Sequence, residues 1–423
     1  MMSNGNYSGL ESATEFNLAL LPRFFFSLHG DVMNLVRIFL IMLCIPLTVI
    51  AASKVQPKMV VEYPLPGAGQ THELIAVNNE QTIIISQITS STMVKVTRNS
   101  ETGNPEEAAR FTIGSANSGL HGLRVSEAYP GKIWATLQFD SKLLLIDPNA
   151  TDPKGKPVIV KTIDVPAPGR GPHGVVEYGD ELWVTLKDSN HVMRINHKEP
   201  SDYVLYPSSR KPIFVAKHAS GRFYASQDQS SQILSINPRS GKTREIDIPM
   251  SMGATPVGLV TGPDGNVWFV LAGSSAGGTG TFGKIDKDGE ITWFHLNTAL
   301  GKTSGLLHLA FENTSANQPP TLHLLGSSIV NHDLPDAIFT VTFDQNYSAI
   351  DTQTSTIFPS QKSWAHRVIV TQGNLFATEL KTSILVQIPT LPRGELPVDE
   401  DADSYASFGL GVKEDFIQYS EPF

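Results

Sequence analysis

The segment GATPVGLVTGPDGNVWFVLAGSSAGGTGTFGKIDKDGEITWFHL, residues 253–296, decides the fold. It holds four short runs rich in β-branched and aromatic residues, at 257–261, 266–271, 281–285 and 291–296. The Asp-Gly pairs at 264–265 and 288–289 fall inside the two turns, and their glycines supply the positive φ that tight hairpins need. Four antiparallel strands in about 45 residues is the size of one propeller blade. Since one such sheet leaves both faces open, the segment predicts further copies of itself.

The copies are recognised by tetrapeptides related to PVGL at 256–259, which begins the first strand. They are THEL at 71–74, LHGL at 120–123, PHGV at 172–175, PIFV at 212–215, LLHL at 306–309 and AHRV at 365–368. Their spacing runs from 40 residues (172 to 212) to 59 residues (306 to 365), and a second strand follows each. Seven four-stranded repeats predict an all-β, seven-bladed propeller, because closing the ring removes the exposed edges of an open array.

The two ends of the repeat region predict how the ring closes. The last repeat supplies only three strands, at 367–371, 375–379 and 384–388, and the pattern stops at Pro389. A strand at 59–63 is the candidate for its missing outer strand, so the propeller spans residues 54–389. The tail 390–423 lies outside the repeats, and its acidic run at 398–403 is typical of solvated coil.

The N-terminal region predicts a secreted protein. Arg37 precedes an apolar run that ends in small residues near 51–53, the pattern of a signal peptide over residues 33–53. The run is shorter than the roughly 20 residues of a membrane span, although an uncleaved anchor is the alternative. Translation would then begin at Met33, which leaves residues 1–32 as an unassigned leader. The only cysteine, Cys44, lies inside this signal, so the mature chain would depend on a large core rather than on disulfides.

Composition and short motifs narrow the classes of partner. The formal net charge of −9 argues against nucleic acid, whose phosphates require a basic face. We expect a monomer that binds a small molecule and does not bind nucleic acid or, once the signal is removed, a membrane. Three tripeptides fit N-glycosylation on loops, and their acceptors are Asn149, Asn313 and Asn346.

The second residue of each tetrapeptide predicts a ring of side chains around the central channel. Taken round the closure, this ring is His366, His72, His121, His173, Ile213, Val257 and Leu307. Four of the 12 histidines therefore share one repeat position on consecutive blades. They could form a polar half-ring for substrate binding, acid–base work or metal ligation, since imidazoles titrate near neutral pH and bind metals. The structural alternative is that each ring only donates to a carbonyl of a neighbouring strand.

The end of the second strand predicts another ring, with a single ionisable member. Its residues are Gln87, Leu137, Leu186, Gln227, Leu271, Gly326 and Glu379. Glu379 shares a blade with His366, so the two could face one channel as a general base with a partner or as a His–Glu metal site. An isolated glutamate at a strand end is otherwise a surface residue.

These motifs resemble the streptogramin B (virginiamycin B) lyase family. The best matches are PHGV at 172–175, GPDGNVWF at 262–269 and GKIDKDGEIT at 283–292, and the resemblance extends over about residues 60–389. It implies a seven-bladed propeller and a carbon–oxygen lyase that opens a cyclic depsipeptide by elimination, using magnesium.

The resemblance also implies roles for particular residues. The family's last-blade histidine matches His366, and the glutamate that ends the second strand of that blade matches Glu379. The chain departs from the pattern at three places: Trp364 replaces a carboxylate, Leu307 replaces a histidine beside His308, and His72 replaces a tyrosine.

We therefore expect a lyase-like or isomerising enzyme that acts on a small cyclic or natural-product substrate at the channel. His366 and Glu379 are the predicted catalytic residues and the candidate metal ligands. The predicted substrate-binding residues are His72, His121, His173 and Trp364. Two alternatives stay open at this point: a non-catalytic propeller that binds a glycan, peptide or protein, and a cofactor-free pericyclase or cyclase of secondary metabolism.

Overall fold

The described part of the chain, residues 60–67, 69–312 and 318–390 of a computed structural model, contains seven four-stranded antiparallel sheets. Together they make the predicted seven-bladed propeller. The leader, the signal segment, Asn313 and the tail beyond Thr390 lie outside the described residues. Within these residues, no helix is long and apolar enough to cross a membrane.

Each blade is built from strands that follow one another in sequence, except the last blade. Blades 1 to 3 contain β2 (Thr71–Val77), β3 (Thr82–Gln87), β4 (Thr92–Arg98), β5 (Pro105–Thr112), β6 (Leu120–Val125), β7 (Ile133–Leu137), β8 (Lys142–Thr151), β9 (Pro157–Asp164), β10 (Pro172–Tyr178), β11 (Glu181–Leu186), β12 (His191–Asn196) and β13 (Tyr203–Pro207). Blades 4 and 5 contain β14 (Pro212–Lys217), β15 (Phe223–Gln227), β16 (Gln232–Asn237), β17 (Lys242–Asp247), β18 (Pro256–Thr261), β19 (Val267–Leu271), β20 (Thr281–Ile285) and β21 (Ile291–His295). Blades 6 and 7 contain β22 (Gly305–Phe311), β23 (Thr321–Ser327), β24 (Ala337–Phe343), β25 (Ile350–Ile357), β26 (Ala365–Thr371), β27 (Asn374–Glu379) and β28 (Ile384–Pro389), with β1 (Val61–Pro64). Two single-turn 3₁₀ helices, Lys187–Ser189 and Gly301–Thr303, lie between strands.

The segment that predicted the repeat folds as blade 5, with strand ends within one residue of the predicted ones. Its two turns contain Gly265 at φ 77° and Gly289 at φ 87°, the left-handed conformation that glycine adopts without a Cβ clash. Trp268 lies between this blade and the next, where it stacks on Phe294 at 5.4 Å and meets Phe343 edge-on at 5.3 Å. Sheet faces of neighbouring blades therefore bury one another, which is why the repeats are stable only together.

The fourth strand of blade 7 comes from the other end of the chain. Strand β1 pairs antiparallel with β28, with Val61 opposite Gln387 and Pro64 opposite Ile384. The strand lies slightly C-terminal to the predicted range 59–63, since Tyr63 is followed by one more paired residue. Leu65 continues inward from β1 and is 7% exposed.

The innermost strand of each blade contains an irregularity that produces the channel ring. In blade 3, Pro172 pairs with Leu186 and Val175 pairs with Val184, so His173 and Gly174 are left out of the regular ladder. Gly174 is required there, because a Cβ would lie 2.6 Å from the carbonyl oxygen of Ile213 in blade 4. The same shift between the first and fourth tetrapeptide residues occurs in blades 1, 2 and 5.

Candidate functional site

The four predicted histidines meet at one end of the channel. The ring centroids of His366 and His72 are 4.5 Å apart, those of His72 and His121 are 4.4 Å apart, and those of His121 and His173 are 3.8 Å apart. We call these four residues the histidine arc. The contacts follow from the backbone irregularity, which places the second tetrapeptide residue of each blade toward the channel.

Hydrogen bonding differs along the histidine arc. The Nδ1 atom of His121 lies 3.3 Å from the carbonyl oxygen of His173, and Nδ1 of His173 lies 3.0 Å from that of Ile213. Both buried rings therefore have the structural role of bonding a neighbouring strand and also take part in the arc. His72 and His366 are partly exposed, and Nδ1 of His366 is buried with no hydrogen-bond partner among the described residues.

Burial makes the histidine arc a cluster of neutral rings. It lowers the pKa of all four histidines well below their ordinary value, and the positive charge of nearby Arg367 lowers each pKa further. Neutral imidazoles can accept protons and hydrogen bonds at pH 7.

The third residue of each tetrapeptide contributes to a second layer of side chains next to the histidine arc. This layer was not predicted from the sequence. This position is glycine in three blades and Glu73, Phe214, His308 or Arg367 in the other four. Arg367 is 2% exposed, and its Nε donates to Oε1 of Glu73 at 2.6 Å. Its guanidinium lies 4.3 Å from the ring of Phe214, which belongs to blade 4 on the opposite side of the ring. The cation therefore lies across the channel. In the sequence, the sign of this layer was a large residue in four blades at a position that is glycine in the other three.

The other half of the second-residue ring is apolar, as the sequence indicated. Ile213, Val257 and Leu307 are each 5–7% exposed and form one cluster with Ala272. We call the first three the apolar arc. The channel end thus has a polar side and an apolar side.

Glu379 lies in a different environment from His366. Its carboxyl group accepts from Thr382, and its Oε1 is buried without a partner among the described residues. Burial, opposed by the bond from Thr382, raises its pKa to about 8. Glu379 is not among the groups that shift the pKa of His366, which is lowered by burial and by the positive charge of Arg367. The predicted pairing of His366 with Glu379 stays a prediction.

The raised pKa of Glu379 predicts a pH effect on stability. As the pH rises from the ordinary pKa of 4.5 to about 8, the unfolded chain loses the Glu379 proton while the folded protein keeps it. The stability that depends on this proton is therefore complete below pH 4.5 and falls progressively until about pH 8. We expect Glu379→Gln to remove it, because the amide stays neutral. The free energy of unfolding of the variant, measured relative to that of the wild type, should rise by several kcal/mol from about pH 5 to about pH 9. Urea unfolding at both pH values measures this, and a constant difference would contradict the prediction.

The buried carboxylate of Asp336, which the sequence did not single out, positions the strand of His366. Asp336 accepts from the backbone nitrogen and hydroxyl of Ser328 at 2.7 and 2.8 Å, from those of Ser363 at 3.0 and 2.9 Å, and from the nitrogen of Ala365 at 2.9 Å. Its sequence signal is weak, because a single aspartate before a strand is common in turns. These bonds fix the start of β26, where His366 is the second residue.

The remaining predicted residues are placed as follows. Trp364 donates from Nε1 to Nδ1 of His332 at 3.3 Å, and Nζ of Lys381 lies 5.2 Å from its ring centroid. Asn149 lies within β8 rather than on a loop, and its Nδ2 donates to Oδ1 of Asn78 at 2.6 Å. Asn346 is exposed in the turn before β25. Substrate binding by Trp364 and glycosylation stay predictions.

The described side chains near the histidine arc do not form the magnesium site that the family resemblance implies. The described residues include no group of three or more His, Cys, Asp or Glu side chains placed to bind a metal ion. Magnesium prefers oxygen ligands, whereas the histidine arc supplies nitrogen. Glu73, which follows His72 in the sequence, is bonded to Arg367, whose charge would repel a cation. The histidine arc and Glu73 do not fit magnesium, and metal binding by His366 with Glu379 stays a prediction.

Two surface cavities lie away from the histidine arc. One, of about 420 Å³, is lined by residues 76–80 and 125–127 with 130–132; the other, of about 630 Å³, includes Tyr178, Lys217 and Phe223. Both are formed where the innermost strands end, at the opposite face of the ring from the arc. They therefore belong to a different surface.

Comparison with known proteins gives one family match. Residues 58–308 match the model of the virginiamycin B lyase family. The match includes His72, His121 and His173 and stops before blade 7, so His366 and Glu379 lie outside it. No curated protein sequence matches the chain.

Solved structures share the architecture at low identity. A catalytically inactive virginiamycin B lyase from Staphylococcus aureus with quinupristin has a TM-score of 0.60 at 17% identity, over 79% of this chain and 99% of that one. A streptogramin B lyase gives 0.58 at 18%, over 78% and 97%. The WD40 repeats of RRP9 give 0.57 at 9%, over 78% and 97%. At these identities the likeness establishes the fold alone.

Proposed function

Because this chain belongs to the virginiamycin B lyase family, we propose that it is a secreted lyase-like enzyme. Its substrate would be a small cyclic or natural-product molecule bound at the channel, and its reaction an elimination or isomerisation. The observation that carries the proposal is the contact of four neutral histidines beside a buried guanidinium.

In the proposed elimination, His366 removes a proton from a carbon next to a carbonyl group. The electron pair forms a carbon–carbon double bond, and the carbon–oxygen bond at the neighbouring carbon breaks. A carboxylate leaves, so a cyclic ester opens without the addition of water. His366 suits this role because the residue is partly exposed and its ring is neutral, with no hydrogen bond from its side chain among the described residues.

Two further groups support the proposed reaction. The guanidinium of Arg367 supplies positive charge near the carbonyl oxygen, where negative charge develops. Glu379 is protonated below about pH 8, so its proposed part is that of an acid.

The product distinguishes elimination from hydrolysis. We expect purified protein to convert a member of a cyclic-ester panel to a linear product of unchanged mass with a new conjugated double bond. Mass spectrometry with ultraviolet absorbance measures both, and a control with His191→Ala, a histidine on β12, should react like the wild type. A product heavier by one water would mean hydrolysis. Binding of the panel with no product would instead favour the non-catalytic binding propeller.

A further inference from the structure

The residue before the innermost strand has a left-handed backbone in four blades. These residues are Gly119 at φ 71°, Gly171 at φ 67°, Thr255 at φ 56° and Trp364 at φ 60°. The four positions are equivalent, because the carbonyl oxygen of each accepts from the first nitrogen after the second strand of its blade. Glycine adopts this conformation without a Cβ clash, whereas a bulky residue there is an outlier. Blade 7 therefore holds a tryptophan where blades 2 and 3 hold glycine.

Core packing does not account for this tryptophan. Trp364 is partly exposed and is not a member of the hydrophobic cluster of blade 7, which includes its neighbour Ala365. Two side chains that contact its indole belong to exposed residues: the ring centroid of His332 lies 5.8 Å from that of the indole, and Nζ of Lys381 lies 5.2 Å from it. A strained residue outside the core indicates a functional constraint.

The indole lies at the same end of the ring as the histidine arc, in a positive environment. His366 follows Trp364 by two residues, and the backbone nitrogen of Lys381 donates to the oxygen of Ser363 at 3.1 Å. The ammonium group of Lys381 forms no ion pair with a carboxylate of the described residues. The charge of Arg367 also acts on His366. This end of blade 7 therefore favours a negatively charged group.

The indole and the ammonium group together fit one class of ligand. A flat ring can stack on the partly exposed indole, and a carboxylate can pair with the exposed Lys381. An aromatic carboxylate supplies both groups. In the proposed elimination the leaving group is a carboxylate, so a substrate whose leaving carboxylate carries an aromatic ring would place it beside the base His366.

We propose that Trp364 and Lys381 form a subsite for an aromatic carboxylate at the rim of the channel, and that blade 7 retains the tryptophan for this binding at a cost in stability. The inference rests on the proposed function, because it assigns the leaving carboxylate of that reaction to this subsite.

Three matched probes separate the two parts of the ligand: 2-naphthoate has the ring and the charge, 2-naphthamide has the ring alone, and acetate has the charge alone. By calorimetry near neutral pH, 2-naphthoate should bind the wild type at least about tenfold more tightly than either of the others. Lys381→Gln should weaken 2-naphthoate about tenfold, to the affinity of the amide. Lys302→Gln removes an exposed lysine of the 3₁₀ helix Gly301–Thr303 and should leave binding unchanged.

Two substitutions of Trp364 separate binding from strain. Trp364→Gly and Trp364→Ala both remove the ring, so both should weaken 2-naphthoate about tenfold. Only glycine relieves the left-handed backbone. The midpoint of urea unfolding of Trp364→Gly should therefore lie above that of Trp364→Ala and above that of the wild type.

Several results would overturn the proposal. A lower unfolding midpoint for Trp364→Gly than for the wild type would mean that the indole is retained for packing. Equal affinity for 2-naphthoate and 2-naphthamide, undiminished binding by Trp364→Gly or Lys381→Gln, or no 2-naphthoate binding at about 10 mM would exclude the subsite. Lys381 is exposed, so its variant decides if Trp364→Gly does not fold.

These equilibrium measurements need no turnover, so they are independent of the lyase assay. Selective 2-naphthoate binding without cyclic-ester opening would remove the lyase and keep the subsite. Cyclic-ester opening by a protein that does not distinguish the three probes would keep the lyase and remove the subsite.

Discussion

Replacing His366 by alanine is expected to abolish turnover with little loss of stability. Loss of a positioned base costs about 10²- to 10⁴-fold in rate. His366 is partly exposed as a residue, and its side chain makes no hydrogen bond to the described residues, so its removal should cost little stability. Steady-state kinetics on a cyclic-ester substrate and the midpoint of urea unfolding test the two parts separately.

Two other variants make the kinetic result specific. His191→Ala removes a histidine outside the arc and should leave the rate unchanged. Glu379→Gln should reduce the rate less than His366→Ala, since it removes an acid and keeps the shape. Undiminished activity of His366→Ala would rule out its acid–base role and favour the binding propeller.

Replacing Arg367 by methionine is expected to destabilise the protein by about 3 kcal/mol, because a partner of a buried ion pair is left alone. Three contacts are lost: Nε to Glu73 at 2.6 Å, Nη1 to the oxygen of His366 at 2.9 Å, and the contact with Phe214. The value is at the low end of the usual range because Glu73 keeps 14% exposure and can regain some solvation. Urea unfolding measures the change.

The double variant Arg367→Met with Glu73→Gln provides the control. It removes both charges, so it should recover much of the stability lost in the single variant. The pKa values of the arc histidines should rise in both variants, since Arg367 lowers them, and histidine NMR titration measures this. If Arg367→Met were as stable as the wild type and the arc histidines titrated unchanged, the placement of the Arg367 charge in the channel would be contradicted.

The alternation of short strands and Asp-Gly or Gly-containing turns was enough to predict the seven-bladed propeller. Strand and turn propensities act over a few residues, and a repeat shows the same local pattern seven times. Residues 281–285 were predicted as a strand and form β20. The sequence likewise placed the histidines at one repeat position, since position within a repeat becomes position around the ring.

Tertiary structure alone decided which partners those positions meet. Arg367 is bonded to Glu73, 294 residues away in sequence, and spans the channel to Phe214, because the closed ring brings blades 7, 1 and 4 together. The tautomers of His121 and His173 depend on carbonyl oxygens of the next blade, and the protonation of Glu379 depends on how deeply its strand end is buried. The sequence determined the blades and the residue types at the channel. Desolvation and contacts across blades, which no local pattern encodes, decided their charge and hydrogen bonding.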